Sequence, residues 1–512
     1  MDSKNKYDKI IQILFIIISL IAIGMLWGRD IVRMYYFQIP NEIREGANAA
    51  VTQALSEGVN PYRSLTDENG LPAVFYMYPI LNNLIGAVIV KITGLSSNLT
   101  LLLLNFIWTL LTGLLLAGVV KRLTNNPYLY ALTFLMGHYC TWRYTNVSAF
   151  PDGLGVFLMC LILYLCVCVR ITGKITALLS LLTVLCFYSK QYTVVVAIPV
   201  FLFLLLKGYK KQCVFYVLET AVLFGISVLV IYFTMPYYFV ETLLLVSGSA
   251  DNEWKWAVTQ FIKIGRLFFP SFLGILLWFF MSVRSRKFKI DYVWISFGIM
   301  AVLLLYFGQN NGAHLSYYLQ LWLPSVIILS MQALNAFAEG MRKKWQTWIL
   351  YLAAFFFAVY PAFSLNTPLL SKEQKENWRK VMEIADSSEN MLATSQMANY
   401  EVLNNRYLYD YGQNQYIFRD EMTDFWKKAD KSKLIQTIFP GLNEFKQVHE
   451  EYRSQLLSRL ENKEFDVLML VEDVGFIRDF DDFHKRKDEK YQLVETIEIE
   501  TGVWSWELEI WR

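Results

Sequence analysis

Charge is what this sequence has least of. Asp, Glu, Lys and Arg make up only 18% of its 512 residues, where a soluble chain carries about 25%. Hydrophobic residues account for 55%, and mean hydropathy is +0.34. A wholly soluble protein is thereby set aside. The formal net charge is only +3, which implies no nucleic-acid-binding surface. The six cysteines show no zinc spacing. Cys160, Cys166, Cys168 and Cys186 lie in apolar runs and Cys140 and Cys213 at run edges, as small hydrophobes of a membrane core do. No Ser-His-Asp or nucleophilic Cys arrangement, internal repeat or low-complexity tract stands out. The first apolar run is too long and too poorly ended for a cleaved signal peptide, so it is expected to stay as an anchor.

What the sequence has instead is about eleven long apolar runs, against the roughly 20 residues that cross a bilayer, several of them short as helices shielded by protein are. Charged residues fall in the gaps, and the basic ones occupy alternate gaps: Lys4/Lys6/Lys9, Lys121/Arg122, Arg170/Lys174, Lys207/Lys210/Lys211, Arg284/Arg286/Lys287 and Arg342/Lys343/Lys344. Basic loops stay in the cytoplasm. The expected fold is therefore a polytopic α-helical membrane protein of about 11 transmembrane helices, N-terminus in and C-terminus out. Spans are expected near Ile10–Trp27, Leu99–Val120, Tyr128–Arg143, Gly153–Val169, Ile175–Tyr188, Tyr192–Leu206, Val214–Phe233, Phe261–Val283, Tyr292–Phe307, Ser316–Met331 and Trp345–Phe363. Residues 28–92 make a large first outer loop, whose short apolar segment Tyr78–Ile92 suits an interfacial helix. Composition changes after Leu365. Residues 366–512 are rich in Glu, Lys, Asp and Trp and contain strand-like runs such as Phe465–Val471, so a soluble extracytoplasmic α/β domain follows the membrane domain of residues 1–365.

Ionisable groups at a membrane edge are functional candidates, because bare charge in lipid is costly. On the expected outer side, Glu42 and Glu45 stand three apart on a helix predicted from Asn41 to Ser56, stopped at Gly58 and turned by Asn60-Pro61. A half-screened carboxylate there could take a proton from a hydroxyl. The bland alternative is a solvated acid pair. The same edge holds Arg143, Asp152 after Pro151, Lys190-Gln191, His314 and Tyr317. Arg143, Lys190 and His314 have the chemistry to bind a phosphate, and Asp152 to orient one of them or bind a sugar hydroxyl. Against this, Asp152 would serve equally as a helix N-cap, Lys190 as a snorkelling span end and the tyrosines as an aromatic belt.

The order of these pieces carries a resemblance. One span precedes a long outer loop with Glu45-Gly46-Ala47, then Gly58-Val59-Asn60-Pro61-Tyr62, then Tyr78-Pro79-Ile80. Arg143 with Pro151-Asp152, Lys190-Gln191 and the stretch from Gly308 through Tyr317-Tyr318 to Pro324 follow. Over residues 1 to about 365 the chain resembles the GT-C integral-membrane glycosyltransferases, in particular the bacterial group related to aminoarabinose transferases and protein mannosyltransferases. The resemblance implies inverting transfer of a sugar from a polyprenyl-phosphate donor to a glycan, lipid or protein acceptor, at the outer face of a bacterial plasma membrane, in cell-envelope synthesis. It implies Glu45 as base with Glu42 as runner-up, and Arg143, Asp152, Lys190, Gln191, His314, Tyr317 and Tyr78 around the donor. It leaves room for a divalent metal, Mg or Mn, but relatives carry an adjacent acid pair where Glu42 and Glu45 are separated, which weakens that case. The rival is a transporter or flippase of a polyprenyl-linked lipid or polysaccharide. Transporters commonly show matching halves and midplane sites, whereas polar groups here gather at one face.

Overall fold

The computed structural model describes the chain except Met1, Ile43, 64–75, 145–148, 246–252, Lys287, 310–314, 365–368, 411–425, Lys428, Pro440, 473–476, Asp479 and 502–503; the side chains of 2–9, Gln12, 143–144, 315–318 and 361–364 also lie outside the described set. Helix α1 (Asp2–Tyr35) is followed by α2 (Glu45–Ser56), α3 (Leu81–Thr93), α4 (Ser97–Thr124) and α5 (Pro127–Leu135). A π-turn at Met136–Cys140 leads into the short α6 (Thr141–Tyr144). Next come α7 (Asp152–Cys168), α8 (Gly173–Ser189), a 3-10 turn at Gln191–Val196, α9 (Ala197–Leu206) and α10 (Lys210–Thr234). The apolar part closes with α11 (Trp254–Leu267), α12 (Phe269–Arg284), α13 (Tyr292–Phe307), α14 (Leu315–Gly340) and α15 (Lys344–Ser364).

Among the described residues, four helical segments are long and apolar enough to cross a membrane: Ile13–Tyr35, Ser97–Thr124, Lys210–Thr234 and Leu319–Gly340. A fifth is formed if α11 and α12 count as one span, but they meet at 86°. The sequence suggests a single run there. Pro270, at the second position of α12, explains the break: its ring cannot be accommodated against the preceding turn and it donates no N–H. Five shorter apolar helices, Leu81–Thr93, Asp152–Cys168, Gly173–Ser189, Gln191–Leu206 and Tyr292–Phe307, accompany them among the described residues. At 1.5 Å per residue the 17 residues of α7 or α8 reach only about 25 Å. Most of both helices is buried among neighbours rather than facing outward, so protein replaces the missing length of lipid-facing surface. By contrast α10 keeps Val214, Leu218, Val222, Ile226 and Leu229 more than half exposed, the surface a bilayer covers.

Beyond α15, α16 (Lys372–Asp386) leads to β1 (Met391–Ala393), a 3-10 turn at Ser395–Met397, α17 (Ala398–Leu403), α18 (Lys433–Ile438), α19 (Leu442–Glu461), β2 (Val467–Leu470), α20 (Asp481–Lys490), β3 (Leu493–Glu500) and β4 (Ser505–Trp511). The strands form one sheet in the order β1-β2-β4-β3, with β1 and β2 parallel and the other pairs antiparallel. β2 is buried on both faces, between a core containing Trp378 and Val381 of α16 and one containing Tyr452, Leu456 and Leu460 of α19. β3 and β4 alternate exposed and buried positions at their centres, as strands with one wet face do.

The sheet domain is not tethered loosely. A shared apolar core joins Ala47, Val51, Tyr62, Tyr76, Tyr78 and Phe150 of the membrane part to Ala398, Leu408, Trp426, Leu442 and Phe445 of the C-terminal part. Burial at this seam, at about 25 cal/mol per Å² of apolar surface, holds the two parts as one body around α2.

Candidate active site

Helix α2 begins at Glu45, not at Asn41. Two carboxylates fold back to cause this. Glu42 accepts the Arg44 backbone N–H at 2.7 Å and the Arg44 guanidinium at 2.9 Å, and Glu45 accepts the Asn41 N–H at 3.0 Å. Glu42 therefore lies ahead of the helix and shares no helical face with Glu45. The far end follows the sequence closely: Gly58 at φ 87 permits the left-handed turn that ends α2, and the Asn60 side chain accepts the Tyr62 N–H at 3.1 Å.

Glu45 is fully buried. Its Oε2 accepts Asn41 N–H and the Asn399 amide at 3.2 Å, and its Oε1 accepts the Ala149 N–H at 3.3 Å. Burial raises its pKa to about 7 against these donors, with the nearby Glu42 charge adding to the rise. A carboxylate offers roughly four acceptor positions; among the described residues three are taken. Glu42 and Glu45 thus occupy different electrostatic settings: the first is closed into an ion pair with Arg44, the second is held by neutral N–H groups.

A second polar centre lies on α7 and the turn after α8. Lys190 Nζ is 3.0 Å from Asp152 Oδ2 and 4.0 Å from the centroid of the Tyr78 ring. Asp152 Oδ1 accepts from Gln320 at 2.8 Å and Tyr192 at 3.2 Å, and Tyr192 also donates to Gln320. Asp152 makes no capping bond; Pro151 stands at the cap position of α7. Nor does Lys190 snorkel, being only 4% exposed. The Gln191 amide ties the Met77 carbonyl to the Thr242 carbonyl, both at 2.8 Å, so it fixes the chain next to Tyr78.

The two centres meet through aromatic rings. Tyr78 packs edge-on to Tyr76 at 5.7 Å and to Phe150 at 5.6 Å, and the Arg44 guanidinium lies 5.4 Å from the Phe150 ring. Phe150 follows Ala149, whose N–H reaches Glu45. Tyr76 in turn donates to Asn83 at 2.7 Å and to Asn48 of α2, and its N–H is accepted by Glu241 at 2.9 Å. Glu241 is buried, and desolvation raises its carboxyl well above the ordinary range. The structure accordingly brings together Glu45, Glu42, Tyr78, Asp152, Lys190 and Gln191. The Arg143 and Tyr317 side chains and all of His314 lie outside the described residues.

Several site residues carried weak signals in the sequence. Glu241 is a lone acid in an apolar stretch, the pattern that marks a buried carboxylate, and it sits in a π-turn (Val240–Leu245). Arg44 lies between the two acids already singled out. Asn399, which donates to Glu45 from 354 positions away, has no local signature. Among the described residues no three His, Cys, Asp or Glu gather as a metal site. The oxygens of Glu42 and Glu45 are aimed at N–H donors.

No family model matches this sequence, and no curated protein does. Solved structures do. ArnT from Cupriavidus metallidurans in the apo state superposes with a TM-score of 0.59 at 10% identity, over 98% of this chain and 97% of that one. The same protein bound to undecaprenyl phosphate gives 0.56 at 10% identity, over 97% of each chain. The apo oligosaccharyltransferase of Archaeoglobus fulgidus gives 0.49 at 11% identity, over 77% of this chain and 64% of that one. The likeness to ArnT runs through the membrane bundle and the C-terminal sheet alike, and the architecture is the GT-C fold.

Proposed function

We propose that this protein is an inverting glycosyltransferase that moves a sugar from a polyprenyl-phosphate donor to an acceptor hydroxyl at the outer face of the plasma membrane, in the synthesis of cell-envelope glycan or glycolipid. The observation that carries the reading is Glu45: a wholly buried carboxylate, poised near neutrality, held among the described residues by neutral N–H donors, with Lys190 over the Tyr78 ring in the adjoining aromatic wall. A general base works best when its pKa lies near the working pH. The GT-C fold supports the same reading, and the crystallised ArnT complex contains undecaprenyl phosphate.

In the proposed reaction Glu45 takes the proton of the acceptor hydroxyl. The acceptor oxygen bonds to the sugar C1 from the side opposite the phosphate, the bond between C1 and the phosphate oxygen breaks, and polyprenyl phosphate leaves with the electron pair. Configuration at C1 inverts. Lys190 offsets the charge that grows on the leaving phosphate. Asp152, Gln320 and Tyr192 hold that ammonium over Tyr78, while Gln191 keeps the Tyr78 passage in place. Arg143, His314 and Tyr317 are assigned to the donor as well, on the sequence pattern alone. Holding both reactants in line supplies much of the rate, and no step is routed through a metal.

The test is direct. Purified protein in lipid is incubated with a panel of labelled polyprenyl-phosphate sugars and hydroxyl-bearing acceptors. Donor consumption with a product of inverted configuration is expected. Movement of donor across sealed vesicles, with no transfer from any donor, would replace this reading with transport.

A further inference from the structure

The C-terminal domain brings one segment, Ser395–Glu401, directly against α2. The Asn399 amide donates to Glu45 Oε2 at 3.2 Å, with both residues buried. The approach depends on Gly46: a Cβ there would lie 2.1 Å from the Cβ of Ala398, too close for any side chain. Glycine beside Glu45 therefore lets α17 within hydrogen-bond reach of the carboxylate.

The polar groups of this segment are unusually short of partners. Asn399 Oδ1, Gln396 Oε1 and Nε2, Ser395 Oγ and both Glu401 oxygens are buried with no hydrogen-bond partner among the described residues. Ser395, Gln396, Asn399 and Glu401 are each no more than 2% exposed. Leaving one buried polar atom unpaired costs on the order of 1–3 kcal/mol, and native interiors tolerate few. Six such atoms fall in seven consecutive residues, and the four on Ser395, Gln396 and Asn399, the last of which bonds to the proposed base, call for a ligand. The chemistry of that ligand follows from theirs. The Gln396 and Asn399 carboxamides and the Ser395 hydroxyl both donate and accept, as sugar hydroxyls do, whereas the Glu401 carboxyl interacts electrostatically with Asp410 and Arg406 and is not counted with them.

We propose that the C-terminal domain completes the acceptor half of the active site: Asn399 is a positioning residue for the Glu45 carboxylate, and Gln396 with Asn399 forms a subsite for a hydroxyl-rich, sugar-bearing acceptor. This rests on the transferase reading. Three consequences separate it from a merely structural contact. The Asn399 N–H stabilises the charged form of Glu45, so its loss raises the pH at which the base ionises. Gln396 touches acceptor and not donor. Neither residue takes part in donor binding.

The experiment is steady-state transfer as a function of pH and of each substrate, with the full-length protein in lipid. Asn399→Ala is expected to lower kcat at pH 7 about tenfold, as loss of one charge-assisted hydrogen bond does, with the acid limb of the profile moved to higher pH and activity recovering there. Gln396→Ala is expected to raise the acceptor KM about tenfold, leaving the donor KM and the acid limb where they are. An Asn399→Ala profile that superposes on wild type, or a Gln396→Ala enzyme whose acceptor KM is unchanged, overturns the inference. If Asn399→Ala does not fold, Asn399→Ser retains a donor too short to reach Glu45 and is read in the same way. A wild-type protein that transfers no sugar defeats the transferase reading itself. A wild type that transfers, inactivated by Glu45→Gln but indifferent to both C-terminal substitutions, defeats only this inference.

Discussion

Glu45 and Asp152 are both buried acids, yet their surroundings differ in kind. Asp152 faces the Lys190 Nζ at 3.0 Å, backed by an amide and a phenol. Among the described residues Glu45 accepts hydrogen bonds from neutral N–H donors alone, with the Glu42 charge nearby, and carries a pKa of about 7. Two carboxylates of similar burial are thereby given separate work: the one with a counter-ion fixes a cation in place, the one without is free to change its protonation state. In the proposed reaction, this division of labour serves a proton transfer coupled to departure of an anion.

The largest effect that the comparison demands is at Glu45. Glu45→Gln keeps the shape of the side chain and removes the base, so transfer should fall by about 10²- to 10⁴-fold, with the thermal midpoint close to wild type or above it. Equal rates in wild type and Glu45→Gln would end the assignment. Lys190→Met should come next. It leaves Asp152 buried beside Gln320 and Tyr192 without its counter-ion, which costs roughly 3–5 kcal/mol of stability when one partner of such a pair is removed. The double variant Asp152→Asn/Lys190→Met should recover most of the lost thermal stability and none of the activity. Recovery of transfer in the double variant would show that Lys190 serves the fold alone.

The pH dependence separates the two acids in a different way. The folded-state pKa of Glu45, about 7, stands above its ordinary 4.5. The fold therefore favours the protonated form. That contribution is fully present below pH 4.5 and is lost as pH rises through 7, amounting to roughly 3 kcal/mol at 1.36 kcal/mol per unit. Transfer runs the opposite way and should climb through pH 7 as the base ionises. Thermal melts of wild type and Glu45→Gln across pH 5 to 8 would measure the first trend, and initial rates the second. A wild-type protein whose melts parallel those of Glu45→Gln over that range would show that Glu45 keeps an ordinary pKa.

How much of this was legible in the sequence depends on how far apart the interacting groups stand. The turn at Gly58 and Asn60 involves neighbours, and residue types alone placed it. Asp152 and Lys190 are 38 positions apart, and alternation of basic gaps put them on one membrane edge without saying that they touch. The helix start was misplaced because the Glu42 and Glu45 side chains compete for backbone N–H groups ahead of α2, a choice that pattern reading does not resolve. The bend between α11 and α12 was missed although Pro270 marks it, because hydropathy averages over a proline. Gln191 was expected near the donor, yet both its amide hydrogens go to carbonyls. Asn399 was beyond reach: only packing of the C-terminal core against α2 brings it to Glu45.

The smallest expected effects test whether an acid near Glu45 can stand in for it. Glu42 binds the Arg44 backbone N–H with one oxygen and the Arg44 guanidinium with the other, so Glu42→Gln removes a charge from Arg44 and keeps an acceptor for one of the two donors. Its electrostatic contribution to Glu45 is to raise the pKa; without it the base ionises at lower pH. Glu42→Gln should therefore change the rate at pH 7 by less than about tenfold, near one hydrogen bond's worth, and shift the acid limb downward. That is the reverse of the shift expected for Asn399→Ala. Glu57 stands at the exposed far end of α2 and meets only Gln53 among the described residues, so Glu57→Gln should stay within about 0.5 kcal/mol of wild type in stability and leave the profile unmoved. If instead Glu42→Gln abolished transfer while Glu45→Gln did not, the base would be Glu42, and the neutral cradle around Glu45 would be a feature of packing.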